Sequence, residues 1–157
     1  MTPAITQLKR AGVAYRLHEY RHDPAAASYG LEAAEALGLA PERVFKTLIA
    51  ELIGPAGGLA SVVVPVVARL DLKALAQAAG AKRAEMAEPT QAERVTGYVV
   101  GGISPLGQKR RLALWLDSSA LEFETIYVSG GRRGLEIELP PSALLELNSG
   151  HAAAVAR

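Results

Sequence analysis

The chain has 157 residues, half of them hydrophobic and 21% charged, which excludes a disordered tail and fits one domain over residues 1–157. Lys plus Arg number 17 against 16 for Asp plus Glu, a formal net charge of +1, so nucleic acid can be held by a local patch but not by an overall basic field. Cysteine is absent, which excludes disulfides, a thiol nucleophile, thiolate zinc sites and iron–sulfur clusters, and points to a reducing compartment, the cytoplasm.

Thr2-Pro3 opens a helix, Ile5 and Leu8 share a face, and Gly12 stops it. Val13 to Tyr20 is a short apolar–polar segment ending before the turn signal Asp23-Pro24. Ser28 caps a second helix, with Leu31, Ala34 and Leu37 at helical spacing before Gly38. Val44 to Ile53 and Leu59 to Val67 read as strands, and the run Gly54 to Gly58 between them predicts a hairpin. Pro65 cannot donate a ladder bond, so it predicts an edge or a bulge. Asp71 caps an Ala-rich helix through Ala79, and Glu88 to Val95 is a further short helix. Strands are predicted at Tyr98–Val100, Leu112–Asp117, Thr125–Ser129 and Leu135–Leu139, and Pro140-Pro141 opens a last helix through Leu147. The pattern is an α+β domain with a largely antiparallel or mixed sheet.

No signal-peptide core stands at the N-terminus, and the apolar stretch Leu59 to Ala68, broken by Ser61 and Pro65, is about half a membrane helix. Four segments carry candidate chemistry. His18-Glu19-Tyr20-Arg21-His22 fits H-E-x-x-H, which binds zinc only on a helix. On a strand the two histidines stand roughly 13 Å apart and share no metal. Val13, Tyr15 and Leu17 alternate as in a strand, and Val13, Leu17 and Tyr20 also suit a helix, but Asp23-Pro24 ends any helix directly after His22. The expectation is therefore strand histidines and no metal.

Lys46 lies in the apolar run Val44–Ala50. Either its stem covers apolar surface while the ammonium reaches water, or it is a partly desolvated lysine aimed at an anion or carbonyl oxygen. Gly101-Gly102-Ile103-Ser104-Pro105-Leu106-Gly107 follows the apolar Tyr98–Val100 and can bring backbone N–H groups close to a ligand, or be an ordinary turn. It has neither the Walker nor the dinucleotide-binding spacing. Ser129-Gly130-Gly131-Arg132-Arg133-Gly134 is either a hairpin loop or, with Lys109 and Arg110 behind the first glycine loop, a local phosphate site. No G-x-S-x-G elbow is present, so the residues offer a lysine, loop amides and arginines, with no evident protein nucleophile.

Together the segments Val44–Leu48, Thr96–Gly107 and Ile126–Leu135 resemble the YbaK/EbsC family, which is related to the editing domain of bacterial prolyl-tRNA synthetases. The opening Met1–Ala4 and Tyr20–Pro24 share the likeness, which spans essentially the whole chain. The resemblance implies a curved, mostly antiparallel, barrel-like mixed sheet with flanking helices, in which the segment before Asp23 is a strand. It implies deacylation of Cys-tRNA(Pro), by attack of the substrate's own thiol, with no cofactor. It makes Lys46 and Gly101 the catalytic groups, and Tyr20, Tyr29, Thr47, Gly102, Ser129 and Glu136 the pocket for the aminoacyl-adenosine end. Tyr29 stands where the family pattern has Phe, and Glu136 where it has Asp. The partners implied are mischarged tRNA, held by its 3′ end, and a prolyl-tRNA synthetase holding the same tRNA. A deacylase for Ala-tRNA(Pro) and a non-catalytic RNA-binding module are the alternatives.

Overall fold

The computed structural model describes residues 1–157. Helices α1 (Pro3–Ala11), α2 (Tyr29–Leu37) and α3 (Leu72–Ala79) start where the sequence puts their caps. Thr2, Ser28 and Asp71 each accept from a first-turn N–H, at 3.4, 3.4 and 3.0 Å. Helix α4 (Pro89–Thr96) and helix α5 (Pro141–Asn148) instead start on proline, whose missing N–H costs nothing in a first turn.

The strands form two sheets. β1 (Arg16–Glu19), β7 (Leu135–Leu139) and β6 (Ile126–Ser129) pair antiparallel in that order. The larger sheet runs β4 (Arg83–Met86), β2 (Phe45–Ile53), β3 (Gly58–Pro65), β5 (Ala113–Asp117), β8 (His151–Ala153). There β2 is antiparallel to β3 and β4, whereas β3–β5 and β5–β8 are parallel. The expected α+β fold with a mixed, mostly antiparallel sheet and flanking helices is found; the sheets are joined by an isolated bridge between Val44 and Tyr127 and do not close, so barrel-like describes them only loosely.

Other expectations are corrected. β3 is an inner strand, and Pro65 sits at its last position, beyond the Ala60–Val63 stretch that pairs with β5, so its missing donor leaves no gap in that ladder. Tyr98–Val100 is a turn, because α4 ends at Thr96 and Gly97 redirects the chain. β4 and β8 have no counterpart among the predicted strands.

Phe45, Val63, Leu114, Leu116, Val128 and Ile137, from both sheets, pack with Leu8 of α1 and Leu144 of α5 in one core. Truncating such a buried leucine to Ala costs about 2–5 kcal/mol. On the other face of the hairpin, Ala50, Leu52, Val62 and Val64 seat Leu75 and Ala76 of α3. Ile49 of β2 meets Ala92 and Val95 of α4 together with Tyr98 and Ile103, which sets the first glycine segment against the start of the large sheet. No helix is long and apolar enough to cross a membrane.

Candidate active site

The seam between the sheets opens into a cavity of about 380 Å³. β2 contributes Phe45, Lys46, Thr47, Leu48 and Ile49, the smaller sheet contributes Ser129 and Glu136, and Tyr20 enters just after β1. Tyr29 stands at the start of α2, and Val100, Gly101 and Ile103 close the side formed by the first glycine segment. The fold thus gathers Tyr20, Tyr29, Lys46, Thr47, Gly101, Ser129 and Glu136 from across the chain. Sequence reasoning did not find the far wall, Met86, Pro89 and Ala92, because these are unremarkable residues on elements whose placement depends on tertiary contacts.

The polar groups of this cavity are poorly partnered. Lys46 makes no ion pair, and burial, with the Arg69 charge second, holds its ammonium below the usual lysine pKa. Thr47 Oγ1 is buried with no hydrogen-bond partner. Glu136 is 6% exposed, and burial pushes its carboxyl up to about 8. Burial also raises the Tyr20 hydroxyl above the ordinary tyrosine value, and the Glu136 and Glu32 charges add to it. A buried polar group left unpaired costs free energy, so such a cluster favours an occupant that supplies the missing partners.

The glycine segment is held in place on both sides of Gly101. Val100 N–H donates to Glu93 Oε2 (2.8 Å), and Gly102 N–H donates to Val99 O (2.8 Å). Further along, Gly107 N–H donates to Gln7 Oε1 (2.7 Å) and the Tyr98 hydroxyl donates to Leu106 O (2.7 Å). Between these anchors Gly101 N–H has no acceptor in the protein. Gly102 therefore differs from Gly101: its N–H closes a turn and is not offered to a ligand. Its role is close approach, since a Cβ there would lie 3.0 Å from Arg132 Cα. The second glycine segment is braced by α1, where Thr2 Oγ1 donates to Gly130 O (2.5 Å). Ser129 Oγ accepts from Gly131 N–H (3.2 Å).

The basic loop residues Lys109, Arg110, Arg132 and Arg133 do not line the cavity. Lys109 and Arg110 are exposed, and Arg132 faces Glu19 at 3.4 Å in a solvated pair. Arg133 is engaged within the protein, donating to Val100 O from Nε (3.1 Å) and a terminal nitrogen (2.5 Å), with its guanidinium 4.5 Å from the Tyr29 ring centre. His18 lies on strand β1 and pairs with Glu138 (2.9 Å), whereas His22 lies beyond it and pairs with Glu32 (2.8 Å). The H-E-x-x-H pattern thus starts on a strand and ends in the loop after it, its two histidines serve different carboxylates, and no group of three metal-binding side chains converges in the molecule. The second of those pairs, with Asp23 N–H donating to Glu32 Oε2 (2.5 Å), ties the segment after Tyr20 to α2 beside the cavity mouth.

Comparison with known proteins gives four further findings. A family model described as the aminoacyl-tRNA editing domain matches residues 23–147. EbsC of Enterococcus faecalis, described as a candidate Cys-tRNA(Pro)/Cys-tRNA(Cys) deacylase, is 37% identical over 156 residues, 98% of this chain and 92% of that protein. Among solved structures, the hypothetical protein APE2540 superposes with a TM-score of 0.86 at 28% identity, over 99% of this chain and 100% of the other. A candidate trans-editing enzyme for prolyl-tRNA synthetase superposes with a TM-score of 0.82 at 25% identity, over 100% and 99%.

Proposed function

We propose, from the premise that this chain belongs to the aminoacyl-tRNA editing domain family, that it deacylates mischarged Cys-tRNA(Pro) in trans. The supporting observation is a cavity lined by an unpaired ammonium and by Gly101, whose main-chain N–H has no acceptor in the protein, with no activated nucleophile beside them. The chain has no thiol. None of the cavity's hydroxyls, those of Tyr20, Ser28, Tyr29, Thr47 and Ser129, donates to a side-chain base: that of Thr47 has no partner, and those of Ser28 and Ser129 accept from main-chain N–H groups. The nucleophile then arrives on the substrate. The cysteine sulfur attacks its own ester carbonyl, an S–C bond forms and the C–O bond to the terminal ribose breaks. The thiol proton ends on the released ribose hydroxyl, and water later opens the cyclic thioester.

In this reading Lys46 and the Gly101 N–H stabilise the negative charge that develops on the carbonyl oxygen. Tyr20, Tyr29, Thr47, Ser129 and Glu136 shape the site for the aminoacyl-adenosine end and hold sulfur and carbonyl in reacting geometry. Cysteine and proline are close in size, and a synthetase pocket separates such residues only modestly, which is the need a second site meets. With a net charge of +1 the chain grips one end of the tRNA weakly, and a prolyl-tRNA synthetase holding that tRNA supplies the missing affinity.

The test is deacylation of cysteinyl-tRNA(Pro) and alanyl-tRNA(Pro) by the wild type and Lys46→Ala. The cysteinyl ester is lost, the alanyl ester persists, and the variant is inactive. Turnover of the alanyl ester alone, or an unaffected variant, overturns the reading. Pull-down of prolyl-tRNA synthetase with tRNA tests the partner separately, and absence of a complex overturns that part.

A further inference from the structure

We propose that Arg133 is a positioning residue, whose guanidinium locks the Val100–Gly101 peptide so that the Gly101 N–H stays directed into the cavity. The proposal rests on the reading of that cavity as a deacylation site.

Val99 to Gly102 form a tight turn closed by Gly102 N–H on Val99 O (2.8 Å), with Gly101 third at φ 88°. That is the arrangement of a type II turn. Types I and II differ by about 150° in ψ of the second residue and about 170° in φ of the third. The change amounts to rotating one peptide plane, here the plane shared by Val100 C=O and Gly101 N–H, while the ends of the turn stay in place. Glycine in third position admits both forms. In a trans peptide the carbonyl and the N–H point in opposite directions, so the rotation would turn the free Gly101 N–H away from its present side.

Arg133 opposes that rotation. Its Nε and one terminal nitrogen both donate to Val100 O, and this oxygen is the acceptor of every hydrogen bond the side chain makes. The Tyr29 ring under the guanidinium fixes its plane. Gly101, Tyr29 and Arg133 are closely packed, since a Cβ on Gly101 would fall 2.7 Å from the Tyr29 ring and 2.9 Å from Arg133 Nε, so only glycine fits there. Two bonds donated to Val100 O also polarise the amide and make its N–H a stronger donor. An arginine whose Nε and one terminal nitrogen grip a main-chain carbonyl cannot present that edge to a phosphate, so the structure reassigns Arg133 from RNA contact to support of the oxyanion donor.

Arg133→Ala and Arg133→Lys test this. Both lower kcat for cysteinyl-tRNA(Pro) by at least about tenfold, a fraction of the loss seen on removing an oxyanion donor outright. KM stays within about twofold, as for a contact made in the transition state. Added guanidinium restores Arg133→Ala and methylammonium does not. In the substrate-free protein, NMR shows the Val100 carbonyl and Gly101 amide resonances displaced in both variants. Wild-type kcat in Arg133→Lys, a rise in KM alone, or unmoved resonances overturns the proposal, the second outcome marking a phosphate contact instead. If Arg133→Ala does not fold, as judged by circular dichroism, Arg133→Lys decides alone. A wild type inert toward the cysteinyl ester overturns the deacylase reading only, since the NMR arm needs no substrate.

Discussion

Glu136 and Glu138 project from the same face of β7, one at the cavity and the other toward the outer end of the smaller sheet. Glu136 has no hydrogen-bond partner, and burial lifts its carboxyl to about 8. Glu138 accepts from Thr125 Oγ1 (2.7 Å) and pairs with His18 (2.9 Å), and chiefly the Thr125 bond holds its carboxyl below the usual carboxylate value. The surroundings differ in the same sense. Near Glu138, Arg43 donates to both Thr125 O and Thr125 Oγ1 at 2.8 Å and lies over the Tyr127 ring. At the cavity, Thr47 Oγ1 is unpaired and Lys46 has no carboxylate in reach. One end of the sheet uses its polar groups on one another and gains stability. The other end leaves them uncompensated, which costs stability and suits a ligand.

The comparison predicts opposite outcomes on the two sides. The largest effect is Lys46→Ala, which lowers deacylation by at least about 10²-fold with no loss of melting temperature. A variant that unfolds instead would place Lys46 among the stabilising groups. Next is Glu136→Gln. The folded protein keeps this carboxyl protonated above the pH at which the unfolded chain ionises. Wild-type stability is therefore full below pH about 4.5 and falls by roughly 1 kcal/mol per pH unit until about 8. The Gln variant flattens that slope and melts higher than wild type at pH 8, with little difference at pH 4.5. An unchanged slope in urea titrations would show that Glu136 is ionised in the folded state.

Glu138→Ala follows, costing about 1–3 kcal/mol by removing the acceptor of the Thr125 hydroxyl and the partner of His18, while deacylation persists. Its pH dependence has the reverse sign, because the stabilisation is present above the ordinary carboxylate pKa and is lost as pH falls through the depressed one. Equal stability of variant and wild type across that range would remove the contrast. The smallest effect is His18→Gln, at most about 1 kcal/mol in thermal melts, as expected for a pair with a half-buried member.

The sequence carries the hairpin β2–β3 plainly, since Val-rich runs flank a Gly/Pro turn, and it carries the helices through their caps. It does not carry β4 or β8. In β4 only Ala84 turns inward while Arg83, Glu85 and Met86 are exposed, so there is no alternation of apolar residues to read. Tyr98–Val100 misleads in the other direction: Tyr98 is buried by its bond to Leu106 O, but Val99 and Val100 are exposed in a turn. At the site, the residue types and the family resemblance give the lining of the cavity. They do not give the state of each group. That Gly101 offers its N–H while Gly102 does not, or that Arg133 reaches back to Val100, follows from hydrogen bonds between segments distant in the chain.

In the proposed reaction the substrate brings its own nucleophile to a cavity of unsatisfied polar groups. Single-turnover deacylation of cysteinyl-tRNA(Pro) beside seryl-tRNA(Pro), esters differing in one atom, tests it most directly. The cysteinyl ester is expected to be lost at least about 10²-fold faster, with the seryl ester competing at similar affinity. Equal rates for the two esters would contradict it.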